Sequence, residues 1–294
     1  MLFNILLSLL FKINNITLKN FDSAQNFRVE RSEVKNIGVK IDAKSGIVID
    51  ADNGDMIFAK NENEVLPIAS ISKLISALVF LDYNHGWDEK IKIIADDYRI
   101  GGKLYVASGE VVTVRDLFYT SLVGSANNTT VALARSTGMT LEEFTGKMNE
   151  KAKELGMDNA YFEEPTGLSE KNVATAKEVA ILAQAAYSNE YIKKALQTDE
   201  HIFYTVDKKR IHKIKNTDKL LGSFLNENGY EIVGAKTGYT EEAMYCLALG
   251  VENGYGQSVI SVILGADTEA NRFQEAKSLA WWGLTQENKK TIKQ

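Results

Sequence analysis

The hydrophobic and polar positions along the chain change their period twice. Residues 38–61, GVKIDAKSGIVIDADNGDMIFAKN, alternate on either side of Asn53-Gly54, a dipeptide that favours a tight hairpin turn. The pattern from about residue 87 to 200 is mainly helical, and alternation returns after residue 230. These periods predict strands near both ends of the chain with helices between them.

The helical signals fall into six segments. One helix is predicted to begin near Ser70, shortly after Pro67, and to be apolar on most faces. Two helices are predicted on either side of a polar break at 124–128. Two more begin at the N-cap residues Thr140 and Thr175. The segment ANRFQEAKSLAWWGL is predicted to be a closing helix.

Three strands are predicted after residue 230, in YEIVGAKTGYT, AMYCLALGVENGYG and SVISVILGAD. Because a sheet face must be buried against another layer, strands from both ends of the chain should share one sheet that helices cover. We therefore predict an α+β fold with about five mostly antiparallel strands. The helical middle of the chain should form a lobe, with a cleft between lobe and sheet.

Composition excludes several classes of function. The chain has 294 residues, 45% hydrophobic and 25% charged, with a net charge of −5 and no basic block, so nucleic-acid binding is not indicated. Cys246 is the sole cysteine, which rules out an internal disulfide. The three histidines show no metal-binding spacing, and no glycine-rich phosphate loop occurs. We expect no metal and no cofactor.

Residues 2–11 form an apolar run that is interrupted by Asn4 and Ser8. The run is too short to span a bilayer and is similar to the apolar region of a secretory signal, although no basic residues precede it and no A-x-A site follows. We favour an export or anchoring segment, with possible membrane association through the N-terminus, over an N-terminal helix packed on the surface. Residues 12–37 are interpreted as a linker.

The segment LPIASISKLISALVFLD places Ser70, Lys73 and Ser76 in an otherwise apolar helix. Ser70 and Lys73 are three residues apart, so their side chains are neighbours on one face. Burial and the positive end of the helix dipole disfavour a charged Lys73, and a neutral amine can accept the proton of Ser70. A second S-x-x-K, at Ser32 and Lys35, lies in the polar linker and is interpreted as chance.

Two further motifs occur once each. Ser125-Ala-Asn127 lies at the break between two helices, where it would either contribute a hydroxyl and an amide to the cleft or form an ordinary turn. Lys236-Thr237-Gly238 follows the strand EIVGA. It would either bind a substrate carboxylate along a sheet edge or simply end the strand.

The motif order S-x-x-K, S-x-N, K-T-G resembles that of the penicillin-recognising serine enzymes. The surrounding segments YFEEPTGLSEKNVATAKEVA, KNTDKLL, VGAKTGYTEEA and RFQEAKSLAWWGL are similar to the D-alanyl-D-alanine carboxypeptidase family of low-molecular-mass penicillin-binding proteins. The resemblance covers about residues 38–284 and is strongest to the small endopeptidase branch. It implies a β-lactamase/transpeptidase-like fold.

The resemblance also implies a substrate and a set of roles. Peptidoglycan peptides ending in D-Ala-D-Ala would acylate the chain, β-lactam antibiotics would inhibit it, and its location would be extracytoplasmic. The implied residues are the nucleophile Ser70, the base Lys73, the assisting pair Ser125 and Asn127, the carboxylate-binding residues Lys236, Thr237, Gly238 and Arg272, and an oxyanion hole formed by the backbone N–H groups of Ser70 and Tyr239. For Arg272 the alternative is a surface salt bridge.

The resemblance predicts three segments: an export or anchor segment with its linker (1–37), one catalytic domain (38–286) and a tail (287–294). The chain departs from the family pattern at Asn128, where aspartate is common, and in EEAMYC after the third motif. We expect a serine-type carboxypeptidase. The alternatives are an endopeptidase that cleaves cross-links, a class A β-lactamase, whose E-x-x-L-N is not matched by FEEPTGLSE, and a catalytically silent wall-binding protein.

Overall fold

Strands from both ends of the chain form one antiparallel sheet in the order β2-β1-β11-β10-β9. The computed structural model describes residues 38–291, with side chains through residue 285. The predicted α+β fold with five antiparallel strands is confirmed. The strands of the sheet are β1 (Ser45–Asp50), β2 (Met56–Lys60), β9 (Tyr230–Thr240), β10 (Met244–Asn253) and β11 (Ser258–Ala266).

The two faces of the sheet pack into separate hydrophobic cores. Along β1, Ile47 and Ile49 pack into the core shared with the helical lobe, whereas Val48 between them packs on the other side. This alternation follows from the period of two of a β-strand. The second core is closed by the C-terminal helix, so both faces are covered and the central strands β10 and β11 are buried almost throughout.

Seven α-helices are described, and several begin at the predicted caps. Thr140 and Thr175 each form a capping box with a glutamate three residues later. The predicted break at 124–128 separates two helices. The helices are α1 (Lys73–Asp82), α2 (Val114–Val123), α3 (Asn127–Arg135), α4 (Leu141–Glu154), α5 (Ala176–Tyr187), α6 (Glu190–Leu196) and α7 (Glu269–Thr291).

Helix α1 is surrounded by α2, α3, α4 and α5, which explains why it is apolar on most faces. The α-helix begins at Lys73 rather than near Ser70, because residues 69–72 form a 3-10 turn. Ala69 in this turn has a φ of 47°, a left-handed conformation that is uncommon for alanine. Leu78, although apolar and in this helix, is only partly buried. Ser76 does not face the cleft, since it is buried and donates to the carbonyl of Pro165 at 2.6 Å.

The first part of the region expected to be helical is not helical, which corrects the sequence-based expectation. The segment 87–113 contains the short antiparallel strands β4 (Lys90–Lys92) and β5 (Val111–Thr113). The helical region ends with α6, and β7 (Glu200–Tyr204) and β8 (Ile211–Lys215) form a separate hairpin. A further two-residue pairing joins β3 (Leu66–Pro67) to β6 (Val173–Ala174).

The described residues from Val39 onward form one compact unit. Helix α7 continues to Thr291, so the predicted boundary at residue 286 falls inside a helix. The predicted export segment and linker, residues 1–37, lie outside the described residues. Within the described part of the chain, no helix is both long and apolar enough to cross a membrane.

Candidate active site

The Lys73 amine contacts three oxygen atoms from three different parts of the chain. Its Nζ lies 2.8 Å from Ser70 Oγ, 2.8 Å from Asn127 Oδ1 and 2.6 Å from the carbonyl oxygen of Thr166. The side chain is fully buried. Asn127 is held in turn by its Nδ2, which donates to the carbonyl of Gly101 at 2.8 Å. The first two motifs therefore meet at one nitrogen atom.

These three contacts match the hydrogen-bonding capacity of a neutral amine. A neutral amine has two N–H donors and one lone pair, and the oxygen atoms of Asn127 and Thr166 are acceptors only. The lone pair is then directed at Ser70 Oγ, the one contact that carries a proton. In this arrangement Lys73 is placed to accept the Ser70 proton as a general base.

The pKa of Lys73 is lowered from 10.5 to about 7, and burial is the main cause because it disfavours the charged form. The negative charge of Glu164 opposes the effect of burial and raises the pKa of Lys73. Lys73 therefore loses its proton at a much lower pH than an exposed lysine does.

Lys236 joins the sheet to the helical lobe across the cleft. Its Nζ donates to Ser125 Oγ at 2.8 Å and to the carbonyl of Thr237 at 2.9 Å. Ser125 lies between α2 and α3 with a φ of 55°, a left-handed conformation that directs its side chain to the strand. Burial, and then the charges of Lys73 and Arg272, hold the pKa of Lys236 well below its usual value. An anionic substrate group would relieve this repulsion.

Strand β9 passes very close to the turn that carries Ser70. A Cβ atom on Gly238 would lie 2.8 Å from the carbonyl oxygen of Ile68 and 3.2 Å from the backbone nitrogen of Ser70. Only glycine permits this approach without displacement. The predicted oxyanion-hole donors, the N–H groups of Ser70 and Tyr239, therefore belong to two backbones that are in contact. Beside them, Thr237 donates its hydroxyl proton to Thr217 Oγ1 at 2.8 Å.

Arg272 is buried, and its ion pair with Glu269 is only one of several contacts that it makes. Its Nη1 donates to the carbonyl of Gly238 at 2.9 Å, and its Nη2 lies 3.2 Å from Glu269. The guanidinium also lies 5.3 Å from the ring of Tyr245 and 4.7 Å from that of Phe273. Arg272 therefore fixes the backbone of β9 and adds positive charge beside it.

Sequence reasoning missed the contribution of the loop 163–172 to the site. The carbonyl of Thr166 is a direct partner of Lys73, and Gly167 packs against the backbone of Ala69, with a φ of 83°. The segment EPTGLS was noted only for its family resemblance. A sequence signal was present in Gly167 itself, because a glycine often marks a turn or a close approach of backbones.

The site opens to solvent as a cleft of about 430 Å³. Seven of the predicted site residues line it, whereas Lys73 and Lys236 are fully buried behind its surface. Lys103, Tyr105, Leu168 and Thr217 also line the cleft and were not predicted. The predicted residues on the cleft surface are Ser70, Ser125, Asn127, Thr237, Gly238, Tyr239 and Arg272.

A serine in contact with a buried lysine, opposite a lysine-bearing edge strand, is the arrangement expected of the penicillin-recognising serine enzymes. The profile of the peptidase S11 family, described as D-alanyl-D-alanine carboxypeptidase, matches residues 29–268. The chain belongs to this family.

The relatives include both carboxypeptidases and endopeptidases. The D-alanyl-D-alanine carboxypeptidase DacF of Bacillus subtilis is 32% identical over 252 residues, which cover 83% of this chain and 63% of that protein. A D-alanyl-D-alanine endopeptidase of Pseudomonas aeruginosa is 32% identical over 247 residues, which cover 81% of this chain and 76% of that protein. The chain thus spans less than two thirds of the Bacillus relative.

The solved structure of the Streptomyces K15 DD-transpeptidase has the same fold. It superimposes with a TM-score of 0.76 at 26% sequence identity, covering 84% of this chain and 98% of that chain. The transpeptidase-like fold that the motifs implied is therefore confirmed.

Proposed function

We propose that this chain is a D-alanyl-D-alanine carboxypeptidase that hydrolyses peptidoglycan stem peptides through an acyl-enzyme on Ser70. Membership of the peptidase S11 family makes it a serine-type DD-peptidase. The observation that supports the mechanism is the buried Lys73 amine, 2.8 Å from Ser70 Oγ, with a pKa of about 7. Such an amine activates a serine at neutral pH without a histidine.

Acylation begins when Ser70 Oγ attacks the carbonyl carbon of the penultimate D-alanine and Lys73 accepts its proton. The developing oxyanion is stabilised by the backbone N–H groups of Ser70 and Tyr239. The proton reaches the leaving nitrogen through Ser125, and D-alanine departs. Water then attacks the ester, the oxyanion forms again, and Ser70 regains its proton as the shortened peptide leaves. Asn127 keeps Lys73 in place and offers its amide to the substrate.

Positive charge at one end of the cleft suits a substrate with a free carboxylate beside the scissile bond. Lys236 and Arg272 supply this charge, and Thr237 supplies a hydroxyl. Binding an anion there would raise the pKa of Lys236 and remove the cost of its burial. A C-terminal D-alanine carries such a carboxylate. β-Lactam antibiotics, which also carry one, would acylate Ser70 as inhibitors. The location would be extracytoplasmic, where this substrate occurs, and membrane association through residues 1–37 stays a prediction.

The second candidate is an endopeptidase that cleaves D-alanyl cross-links. The endopeptidases of Pseudomonas aeruginosa and Escherichia coli are 32% and 30% identical to this chain, close to the 32% of the Bacillus carboxypeptidase. A class A β-lactamase is disfavoured, because hydrogen bonds from its own loop occupy the oxygen atoms of the Glu164 carboxylate. It accepts from the N–H groups of Thr166 and Leu168 at 2.7 Å and 2.8 Å.

Purified muropeptides test the proposal directly. The chain would be incubated with uncross-linked pentapeptides and with cross-linked dimers, and the products would be weighed by mass spectrometry. Loss of one D-alanine from the pentapeptide, with the dimers intact, is the expected result. Conversion of dimers to monomers would show instead that the chain is an endopeptidase. Failure of Ser70 to label with a fluorescent penicillin would support a catalytically silent wall-binding protein instead.

A further inference from the structure

Glu164 is the centre of the loop that supplies the Thr166 carbonyl to the active site. Its Oε2 accepts from the backbone nitrogen of Thr166 at 2.7 Å and from the Thr166 hydroxyl at 2.6 Å. Its Oε1 accepts from the backbone nitrogens of Gly167 and Leu168 at 2.5 Å and 2.8 Å. The backbone nitrogen of Ser169 adds a longer contact to Oε1 at 3.4 Å. A carboxylate has about four acceptor positions, so these donors saturate it.

The loop that Glu164 organises is anchored to the segment bearing the nucleophile. The Thr166 carbonyl accepts from Lys73 Nζ at 2.6 Å, and Gly167 packs against the backbone of Ala69 next to Ser70. The side chain of Asn172 adds a second link, because its Nδ2 donates both to the backbone carbonyl of Glu164 and to Ser72 Oγ. A change in the fold of this loop would therefore move the oxygen that orients the Lys73 amine.

We propose that Glu164 is a positioning residue for Lys73, whose carboxylate folds the loop so that the Thr166 carbonyl holds the amine against Ser70. The inference rests on the proposed function, because it assigns Glu164 a part in the acylation of Ser70. It differs from the water-activating glutamate of a class A β-lactamase, since the saturated carboxylate has no position left for a water molecule.

The charge of Glu164 has a second effect on the same amine. Glu164, from the loop, is the charged group that shifts the pKa of Lys73, and the charge of Lys73 in turn lowers the pKa of Lys236 on β9. Glu164 raises the pKa of Lys73, whereas burial lowers it. Removal of the carboxylate charge would therefore leave Lys73 neutral to a lower pH. A residue that only stabilised the loop would change the rate without moving the pH at which Lys73 titrates.

The test is the second-order rate of acylation by a fluorescent penicillin, measured from pH 5 to pH 9. In Glu164→Gln we expect the rate at the optimum to fall at least tenfold, because the base is displaced. We also expect the midpoint of the acid limb to move to lower pH by about one unit. An unchanged or higher midpoint, or an unchanged rate, would overturn the proposal.

Two further variants keep the test decisive. Glu163→Gln is the matched control, because Glu163 is the adjacent carboxylate but is exposed and pairs with Lys171 and Ser169. It should retain both the rate and the midpoint of the unmodified chain. Glu164→Asp keeps the charge but shortens the side chain, so it should lower the rate and leave the midpoint in place. If Glu164→Gln does not fold, a full rate in Glu164→Asp overturns the proposal.

The failure of this inference is distinguishable from that of the proposed function. If the unmodified chain does not acylate at all, the proposed function is wrong. If it acylates and the Glu164 variants behave like Glu163→Gln, only the role of Glu164 is wrong. Thermal unfolding of each variant, measured beside the rates, shows whether a lost rate reflects a lost fold.

Discussion

Lys236 Nζ donates to Ser125 Oγ at 2.8 Å and so links the edge strand of the sheet to the junction between helices α2 and α3. The two residues are 111 positions apart in the chain. The contact brings the second and third motifs together, and Asn127 of the second motif also reaches Lys73. In the proposed mechanism, Ser125 passes the proton to the leaving group.

Ser125→Ala should slow acylation by about 10²–10⁴-fold, the usual contribution of a proton-transferring group. The substitution also leaves Lys236 with one acceptor fewer. The rate would be followed with a fluorescent penicillin and with a D-Ala-D-Ala peptide. Ser121→Ala is a suitable control, because Ser121 is a buried hydroxyl of α2 that contacts Thr130 instead of the cleft. Equal rates in the two variants would exclude a relay through Ser125.

Ser70→Ala should abolish labelling by penicillin and release of D-alanine, because the chain then has no nucleophile at Lys73. The melting temperature should change little, since the turn that carries Ser70 is held by its neighbours. Ser32→Ala alters the other S-x-x-K of the chain and should label at the normal rate. Retained turnover in Ser70→Ala would show that another residue is acylated.

The rate of acylation should rise with pH through a midpoint near 7. Below this pH the Lys73 amine is protonated and cannot accept the Ser70 proton, and above it the amine is neutral. Asn127→Asp should move the midpoint to higher pH, because a carboxylate would replace the amide oxygen 2.8 Å from Nζ and would favour the charged form. Rate profiles from pH 5 to pH 9 would show the shift. A midpoint that stays in place would mean that a group other than Lys73 governs the acid limb.

Gly167→Ala should destabilise the chain far more than Gly138→Ala. Both glycines have a positive φ, but a Cβ on Gly167 would lie 1.9 Å from the carbonyl oxygen of Ala69, whereas a Cβ on Gly138 would meet nothing within 4 Å. Gly138→Ala therefore incurs only the cost of placing a Cβ atom on a left-handed backbone, about 1–2 kcal/mol. Gly167→Ala must also displace the turn before Ser70, so it should lower the acylation rate as well. Chemical denaturation would separate the two variants, and equal losses of stability would contradict the close approach.

The free energy of unfolding should increase with pH between about 7 and 10. Burial lowers the pKa of Lys73 in the folded chain, so over this range the unfolded chain binds more protons. Each group of this kind contributes about 1.4 kcal/mol per pH unit. The dependence disappears below the folded pKa, where both states are protonated.

Lys73→Met should make this dependence weaker without removing it, because Lys236 titrates in the same direction. Denaturation curves at pH 7.5 and pH 9.5, for the unmodified chain and the variant, would give the difference directly. The same slope in both would show that Lys73 is charged in the folded chain at neutral pH.

Local patterns predicted the elements that depend on neighbouring residues. The hairpin at Asn53-Gly54, the caps at Thr140 and Thr175 and the long strands after residue 230 were all found from short-range signals. The β7–β8 hairpin was missed because its turn contains no glycine or asparagine, and Lys208 adopts the left-handed conformation with a φ of 58°. The three-residue strands β4 and β5 are too short for alternation to be recognised.

The sequence by itself determined which residues could react, because a serine and a lysine three residues apart must be neighbours on a helical turn. The tertiary structure decided whether this serine and this lysine can react. The partners that orient Lys73 lie 54 and 93 residues away, and complete burial lowers its pKa. Glu164 and Thr166 also belong to the site only because the fold brings their loop to Lys73. Desolvation and hydrogen bonding depend on distances between segments that no local pattern specifies.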